Sequence, residues 1–252
     1  MIVIISLPHL YPSPPRGRGR IKEGEGLLAQ ITLENYFFIS LPNLLDIQPY
    51  YMTQKEKEME KLKKECLEFC YKHPLYQKGT YPVFGEGPLD AKIMLIGEAP
   101  GYHESIEGRP FCGAAGKILD ELLDFVGIKR KDVYITNLVK LRPFNNRDPK
   151  PEEIKSFAPY LSKQIEIIKP KIICTLGNYS TAFIFQKYGL KDKLQGISKI
   201  HGKIFEVENL FQKIKIIPFY HPAVATYNPN MKEILKRDFK ILEKFKKEII
   251  KS

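Results

Sequence analysis

Gly97-Glu98-Ala99-Pro100-Gly101 directly follows the apolar run at residues 92–96, and this stretch is the most informative feature of the chain. An apolar strand that ends in a Pro/Gly turn exposes backbone N–H groups at the carboxyl edge of a sheet, where α/β proteins bind ligands. A second apolar run, residues 214–220, leads directly into His221-Pro-Ala-Val-Ala-Thr-Tyr-Asn-Pro229. The sequence therefore predicts two ligand-facing loops at one edge of one sheet.

Strand and helix patterns alternate along the rest of the chain. Apolar runs predict strands at 92–97, 132–137, 171–176 and 214–220. Amphipathic patterns predict helices at 53–71, 114–126, 151–168, 178–188 and 230–250. We therefore expect an α/β fold with three layers, in which helices cover both faces of a central, mainly parallel four-stranded sheet.

The charge of the chain indicates a polyanionic partner. The 252 residues carry 40 Lys and Arg against 29 Asp and Glu, a net charge of +11. Residues 1–51 contain four basic and four acidic residues, so the whole excess lies in residues 52–252. Nucleic acid is the leading partner for such a surface. The alternative is a lysine-rich thermophile surface, since many of the lysines are interleaved with glutamates.

Residues 1–51 differ from the rest of the chain. They include the Pro/Gly-rich stretches 11–20 and 22–26, which have neither a helical nor a strand period. Met52 then opens the first helical pattern. We expect residues 1–51 to be a disordered or non-native extension, with a functional basic arm as the alternative, and residues 52–252 to form one domain.

Neither the cysteines nor the hydropathy pattern indicates a secreted or membrane protein. Four cysteines in a chain of this length do not make a disulfide framework, and Cys174 lies within a predicted strand. No run of 18 apolar residues is present, so no membrane partner is expected. We expect a cytoplasmic protein.

Taken together, the motifs resemble family 4 of the uracil-DNA glycosylase superfamily over roughly residues 66–240. The shared motifs, in matching order and spacing, are Gly85-Glu-Gly87, Gly97-Glu-Ala-Pro-Gly101, Glu104, Gly108-Arg-Pro-Phe111, Tyr134-Ile-Thr-Asn137, Arg142-Pro143, Asn146-Arg147, Pro149, Glu153-Ile154, Leu176-Gly177, His201-Gly202 and His221-Pro222. The resemblance implies an enzyme that flips uracil out of DNA and hydrolyses its N-glycosidic bond, which initiates base excision repair.

The resemblance also implies roles for the residues of a base pocket. Phe111 would stack on the flipped uracil, and Asn137 would read its O4/N3 edge, so that cytosine leaves polar groups unpaired. His221 would donate to O2 as N1 becomes anionic. Glu104 would crowd C5 and exclude the methyl group of thymine.

Further roles are implied for the first loop and for the DNA contacts. Glu98, together with the backbone of Ala99 and Gly101, would position or activate the attacking water, and Gly97 and Pro100 complete this substrate-binding loop. The predicted phosphate contacts are Lys140, Arg142 and Arg147. The loop after His221 would wedge into DNA, and it departs from the family there, which leaves Val224 and Tyr227 as alternative wedge residues.

The cysteines depart from the family, whose members usually hold a four-iron, four-sulfur cluster on four cysteines. Cys70 and His73 occupy the first two ligand positions, whereas apolar Leu141 and Phe157 occupy the other two. A cluster with four protein ligands cannot form on that set, so we expect no metal and no cofactor, with Cys70 and His73 as remnants of the site. Cys66, one helical turn before Cys70, is then a core residue.

Two alternatives remain beside the hydrolase. A relative that captures uracil-DNA covalently would carry a histidine in a basic insert near residues 142–146, and none is present there. A non-catalytic DNA-binding relative would account for the lost cysteines, but Glu98, Asn137 and His221 are intact. We expect a monomer that acts on uracil-containing DNA, single- or double-stranded.

Overall fold

The computed structural model describes residues 52–208 and 213–246, which fall within one compact unit. Five strands form one sheet in the order β2-β1-β3-β5-β4. Their bounds are β1 Ile93–Gly97, β2 Tyr134–Asn137, β3 Ile172–Leu176, β4 Phe205–Glu208 and β5 Lys213–Phe219. Four of the strands run parallel, and β4 pairs antiparallel with β5 at one edge.

Eight α-helices accompany the sheet in the described residues. They are α1 Gln54–Lys72, α2 Tyr102–Glu107, α3 Ala114–Phe125, α4 Pro151–Ile168, α5 Asn178–Lys187, α6 Ile197–Ile200, α7 Val224–Tyr227 and α8 Asn230–Phe239. Helix α1 begins at a capping box, in which Thr53 and Glu56 satisfy each other's backbone N–H groups. Helix α4 begins with Pro151 at its first position, where the missing N–H is not needed.

Both faces of the sheet are buried, which explains why its strands read as continuous apolar runs. In β1, Met94 and Ile96 belong to a core with α1, α4 and α5, whereas Ile93 and Leu95 belong to a second core with α3 and α8. Successive side chains of a strand point to opposite faces, so one apolar strand serves both cores. This is the three-layer α/β/α fold expected from the sequence.

The number of strands corrects the expectation of four. The additional strand β4 alternates between half-buried and exposed residues, so it presents no apolar run to detect. It is stabilised by antiparallel pairing, with Phe205 opposite Ile216 and Glu208 opposite Lys213. A strand of this kind at a sheet edge depends on its neighbour for stability.

Two further expectations concern residues 1–51 and the lack of a membrane-spanning helix. The expectation that residues 1–51 form a disordered or non-native extension lies outside the described residues. Within the part of the chain that is described, no helix combines the length and the apolar character needed to span a bilayer.

The parallel register brings distant residues to one edge. Gly97 lies beside Asn137 on β2, and Leu176 on β3 lies beside Phe219 on β5. The residues that follow these strand ends therefore converge at the carboxyl edge of the sheet, as in other open α/β sheets.

Candidate active site

A cleft of about 460 Å³ opens at this edge of the sheet. It is lined by Glu98, Ala99, Pro100, Gly101, Glu104, Phe111, Ala115, Asn137, Pro143, Asn146, Arg147, Asp148, Pro149, His221, Ala223 and Tyr227. Both predicted loops contribute to its wall, and four separate chain segments meet there. A concave site with several convergent polar groups is the usual form of a small-molecule pocket.

Glu98 lies with its carboxylate against the start of α5. Its Oε1 accepts a hydrogen bond from the backbone N–H of Tyr179 at 3.3 Å. Gly177 makes this approach feasible, since its φ is +99° and a Cβ there would collide with Oε1 of Glu98. Burial raises the pKa of Glu98 to about 7, and the nearby charge of Asp148 adds to the rise, while the backbone N–H groups oppose it. Such a carboxyl can exchange a proton near neutral pH.

Asn137 forms the floor of the cleft and has an unused acceptor. The residue is 1% exposed, and its Oδ1 has no hydrogen-bond partner, alone among the buried side-chain polar atoms of the described residues. Gly97 leaves room for it, because a Cβ at that position would collide with Oδ1 and with the Phe111 ring. An unpaired buried acceptor is costly, so its presence in a pocket points to a donor on the ligand.

Phe111 is held in a left-handed backbone conformation, with φ of +48°. This conformation is uncommon for a residue other than glycine. The guanidinium of Arg130 donates to the carbonyl oxygens of Pro110 at 2.6 Å and Phe111 at 3.1 Å. It is anchored in turn by Glu86 and Asp120. The loop that carries the Phe111 ring is thereby fixed before any ligand arrives.

His221 faces Phe111 across the cleft, with the ring centroids 5.5 Å apart and the planes 29° from parallel. Its Nδ1 accepts a hydrogen bond from the backbone N–H of Ala223 at 3.2 Å. Burial lowers the pKa of His221 to about 4, although the charge of Glu104 partly opposes this. The ring is therefore neutral at pH 7, and an acceptor at Nδ1 leaves the proton on Nε2 as a donor.

Glu104 joins the first loop to the segment before α3. Its Oε1 accepts from the backbone N–H of Gly113 at 2.9 Å, and its side chain also approaches Gly101. The carboxylate is thus fixed at the wall of the cleft and carries negative charge beside the ring of His221.

The structure brings most of the predicted pocket residues together. Glu98, Ala99, Pro100, Gly101, Glu104, Phe111, Asn137 and His221 all line the cleft, and Gly97 lies directly behind Asn137. Asn178, another residue at a strand end, does not line it, because its side chain accepts from the backbone N–H of Ile197.

Lys140 was predicted to contact DNA phosphate, and this prediction is wrong. The side chain is fully buried behind the cleft, and Nζ donates at 2.7 Å each to Thr136 Oγ1, Gln164 Oε1 and the carbonyl oxygen of Asn137. Burial lowers the pKa of its ammonium to about 8. A buried lysine needs such acceptors in place of water, and here they also support the backbone of Asn137.

The other residues predicted to contact DNA lie at the surface, and they differ in their hydrogen-bond and ion-pair partners and in their exposure. Arg147 lines the cleft but forms an ion pair with Glu153. Arg142 lies beside the cleft and donates from Nε to Asn146 at 2.7 Å. Of the two wedge candidates, Val224 packs against the core, whereas Tyr227 lines the cleft and is 89% exposed.

The positions implied for an iron–sulfur cluster do not fit one. Leu141 and Phe157 are buried and apolar, and the Phe157 ring lies 4.9 Å from the ring of His73. Both ring nitrogens of His73 have protein partners, Ser156 and the backbone N–H of Leu75. Across the described ranges, no group of three or more His, Cys, Asp or Glu residues is arranged to hold a metal.

The buried thiols of this region belong to the core. Cys66 and Cys70 are fully buried on one face of α1. A hydrogen bond from Cys70 lowers the pKa of the Cys66 thiol, and the same contact, together with burial, raises the pKa of Cys70. The packing role expected for Cys66 is confirmed.

Two residues of importance were missed from sequence. Asp148 lines the cleft, accepts from the hydroxyl of Tyr179 at 3.0 Å and raises the pKa of Glu98. Asp148 lies between Arg147 and Pro149, two residues that match the family motif, and this position could have identified it as a site residue. Arg130 was missed because its role depends on carbonyl groups about 20 residues earlier in the chain.

Comparisons with known proteins agree with this geometry. The model of the Uracil DNA glycosylase superfamily matches residues 84–246. A type-4 uracil-DNA glycosylase of Sulfurisphaera tokodaii is 49% identical over 72% of this chain and 82% of the relative. Those of Archaeoglobus fulgidus and Thermotoga maritima are 46% and 42% identical, over 68% and 70% of this chain and 85% and 88% of the relatives. The chain therefore belongs to the uracil-DNA glycosylase superfamily and, within it, to the type-4 group.

Proposed function

We propose that this protein is a monofunctional uracil-DNA glycosylase that flips uracil out of DNA and hydrolyses its N-glycosidic bond. The unpaired Oδ1 of Asn137 is the observation that carries this proposal. Uracil presents a donor at N3–H and an acceptor at O4, so Oδ1 and the amide NH₂ of Asn137 can pair with both. Cytosine presents the opposite pattern and would leave these buried groups unpaired.

The remaining side chains complete the base pocket. Phe111 offers a fixed ring on which the flat base stacks, and the neutral His221 can donate from Nε2 to O2 of uracil. Glu104 would crowd C5, where thymine carries a methyl group. Each of these groups is held by the protein before binding, so little reorganisation is needed when charge develops.

The reaction follows from these positions. The bond between C1′ and N1 breaks and its electron pair goes to uracil, whose O2 accepts the hydrogen bond from His221. The sugar becomes oxocarbenium-like, and a water attacks C1′ while it gives a proton to Glu98. The products are an abasic sugar and the uracil anion, which takes a proton from solvent, while Glu98 returns the proton of the water to solvent. No cofactor takes part in any step.

Contacts with DNA would surround the cleft. Arg142 would contact a phosphate next to the flipped nucleotide, and Arg147 would do so only in competition with its ion pair to Glu153. We assign the wedge to Tyr227 rather than to Val224, because an exposed aromatic side chain at the rim can enter the base stack and a side chain packed on the core cannot.

The direct test is excision. The purified protein is incubated with an oligonucleotide that contains one uracil, and alkali then cleaves at abasic sites. Strand cleavage at the uracil position supports the proposal, and the same sequence with cytosine or thymine serves as the control. Absence of abasic sites with retained DNA binding would favour the non-catalytic alternative. A covalent protein–DNA adduct would favour capture, although residues 142–146 contain no histidine.

Replacement of Asn137 by aspartate is expected to change base selection. The carboxylate cannot donate to O4, so uracil excision should fall by at least about tenfold. The ratio of uracil to cytosine excision should fall with it. Single-turnover rates on matched uracil and cytosine oligonucleotides measure both effects, and an unchanged uracil rate would remove Asn137 from the pocket.

We propose that the iron–sulfur cluster of the family has been lost from this chain. The packing of Phe157 and Leu141 in place of two thiolates supports this. The purified protein is expected to be colourless and to contain no stoichiometric iron. A brown preparation, or about four irons per chain by metal analysis, the content of one cluster, would contradict the proposal.

We further propose that residues 1–51 are dispensable and that residues 52–252 form the active domain. The first helix begins at its own capping box just after Met52, which supports this boundary. A chain that starts at Met52 is expected to remain soluble and to excise uracil at the rate of the full chain. Loss of soluble protein or of DNA binding would show that the extension is required.

The proposed setting is a monomer in the cytoplasm that acts on uracil-containing DNA, single- or double-stranded. The excess positive charge of residues 52–252 supports DNA as the partner. Gel filtration with light scattering measures the oligomeric state of the free protein.

A further inference from the structure

Three exposed aromatic side chains lie on or next to the segments that line the cleft. Tyr227 lines it directly, while Tyr102 directly follows Gly101 and Phe144 directly follows Pro143. Tyr102 is 54% exposed and Phe144 is 47% exposed. Exposed aromatic rings next to positively charged side chains are the usual means of binding unpaired bases.

Arg142 connects Tyr102 to the cleft. Its guanidinium carbon lies 5.1 Å from the centroid of the Tyr102 ring, and its Nε donates to Asn146, a cleft residue. Among the described residues, neither terminal nitrogen of Arg142 has a protein acceptor and no carboxylate forms an ion pair with it. Arg147 differs in both respects, because Glu153 occupies its guanidinium.

Tyr102 and Asn146 thus orient the guanidinium of Arg142, and within the described part of the chain no carboxylate neutralises its charge. A guanidinium held against an aromatic ring, with its outer N–H groups free, is prepared for a phosphate. The unoccupied N–H groups and the positive charge therefore indicate an anionic ligand next to the cleft.

Phe144 supplies a second element beside Arg142. It lies in a one-turn helix, Phe144–Asn146, in which Asn145 and Asn146 both adopt positive φ, at 57° and 54°. Backbone hydrogen bonds across the turn fix its shape. In the part of the chain described, no aromatic ring or cation contacts Phe144, so its ring is open to a base.

We propose that Tyr102, Arg142 and Phe144 form a subsite for the unpaired nucleotide adjacent to the flipped deoxyuridine. Arg142, seated on Tyr102, binds the phosphate of this nucleotide, and Phe144 stacks on its base. The proposal rests on the function proposed above and extends it. The protein binds the unpaired nucleotide next to the uracil and therefore favours uracil in single-stranded DNA.

The test compares Phe144→Ala and Arg142→Gln with Tyr71→Ala, which removes an aromatic ring of similar exposure on α1. The substrates are a single-stranded oligonucleotide with a central uracil and the matched duplex. For Phe144→Ala, KM on the single strand should rise about tenfold or more, with kcat within about twofold and a smaller rise on the duplex. Tyr71→Ala should match the wild type on both substrates.

Two further measurements separate a nucleotide contact from a structural effect. With 2-aminopurine beside the uracil, binding by the wild type should change its fluorescence, and Phe144→Ala should alter the size of that change, because only the part that comes from uracil flipping remains. Arg142→Gln should reduce the slope of log affinity against log salt for single strands by about 0.7, the value for one lost phosphate contact.

Several results would overturn the subsite. They are equal KM values for Phe144→Ala and Tyr71→Ala on the single strand, an unchanged 2-aminopurine response, or an unchanged salt slope in Arg142→Gln. Failure of the proposed function is distinguishable, since it would show as absence of uracil excision by the wild-type protein on either substrate.

Discussion

Replacement of Glu98 by glutamine is expected to slow single-turnover excision by about 10²–10⁴-fold, the usual contribution of a general base. The pKa of the Glu98 carboxyl lies near neutrality, at about 7, chiefly because of burial. Below pH 7 it is protonated and cannot accept a proton from water, and above pH 7 it can. The rate of the wild type should therefore rise with pH through about 7 and then level.

The dependence of the excision rate on pH is a second test of Glu98 as the general base. Glu98→Gln should lack the rise near pH 7, because glutamine does not titrate. Asp148→Asn serves as the matched variant: it removes a charge that raises the pKa of Glu98, so the rise should move to lower pH. A Glu98→Gln profile that keeps the wild-type rise would assign that titration, and the base, to another group.

Replacement of His221 by alanine is expected to reduce single-turnover excision by about 10²–10³-fold, the cost of one donor in a preorganised site. The pKa of about 4 and the acceptor role of Nδ1 make His221 a neutral Nε2–H donor across the working range. DNA affinity should change little, because phosphate contacts dominate it. His221→Gln, which keeps an N–H donor, should recover part of the rate.

Two outcomes would contradict this assignment of His221. Full excision by His221→Ala would remove the second loop from catalysis. If His221→Ala also lost affinity for an oligonucleotide whose glycosidic bond is not hydrolysed, the loop would serve to bind DNA rather than to catalyse excision.

Much of the fold could be predicted from sequence because the signals are local. Apolar runs such as residues 172–176 can be recognised as strands because both faces of the sheet are buried. The turns that follow these runs indicate the carboxyl edge of the sheet, where a ligand would bind. Strand β4 escaped detection because it alternates in exposure and depends on β5 for its pairing. An edge strand of this kind has no pattern that distinguishes it from a loop.

The pocket residues were predictable for a related reason. Glu98, Asn137 and His221 each follow or end an apolar strand, and parallel strands place their carboxyl ends at one edge. The burial of the Lys140 side chain could not be predicted from sequence. Its charge indicates a surface contact, yet Gln164, distant in sequence, supplies an acceptor that lets it lie in the interior.

The α/β architecture, the two loops and the types of group that face the cleft follow from the sequence alone, because periodicity and turn chemistry act over a few residues. Which charged side chains are free to bind a ligand depends on the tertiary structure. It buries Lys140, neutralises Arg147 with Glu153, and places Arg142 on Tyr102 with no counter-charge among the residues that the structure describes. Burial and pairing arise from neighbours distant in sequence, and they set both the pKa of Glu98 and the unpaired state of Oδ1 in the pocket.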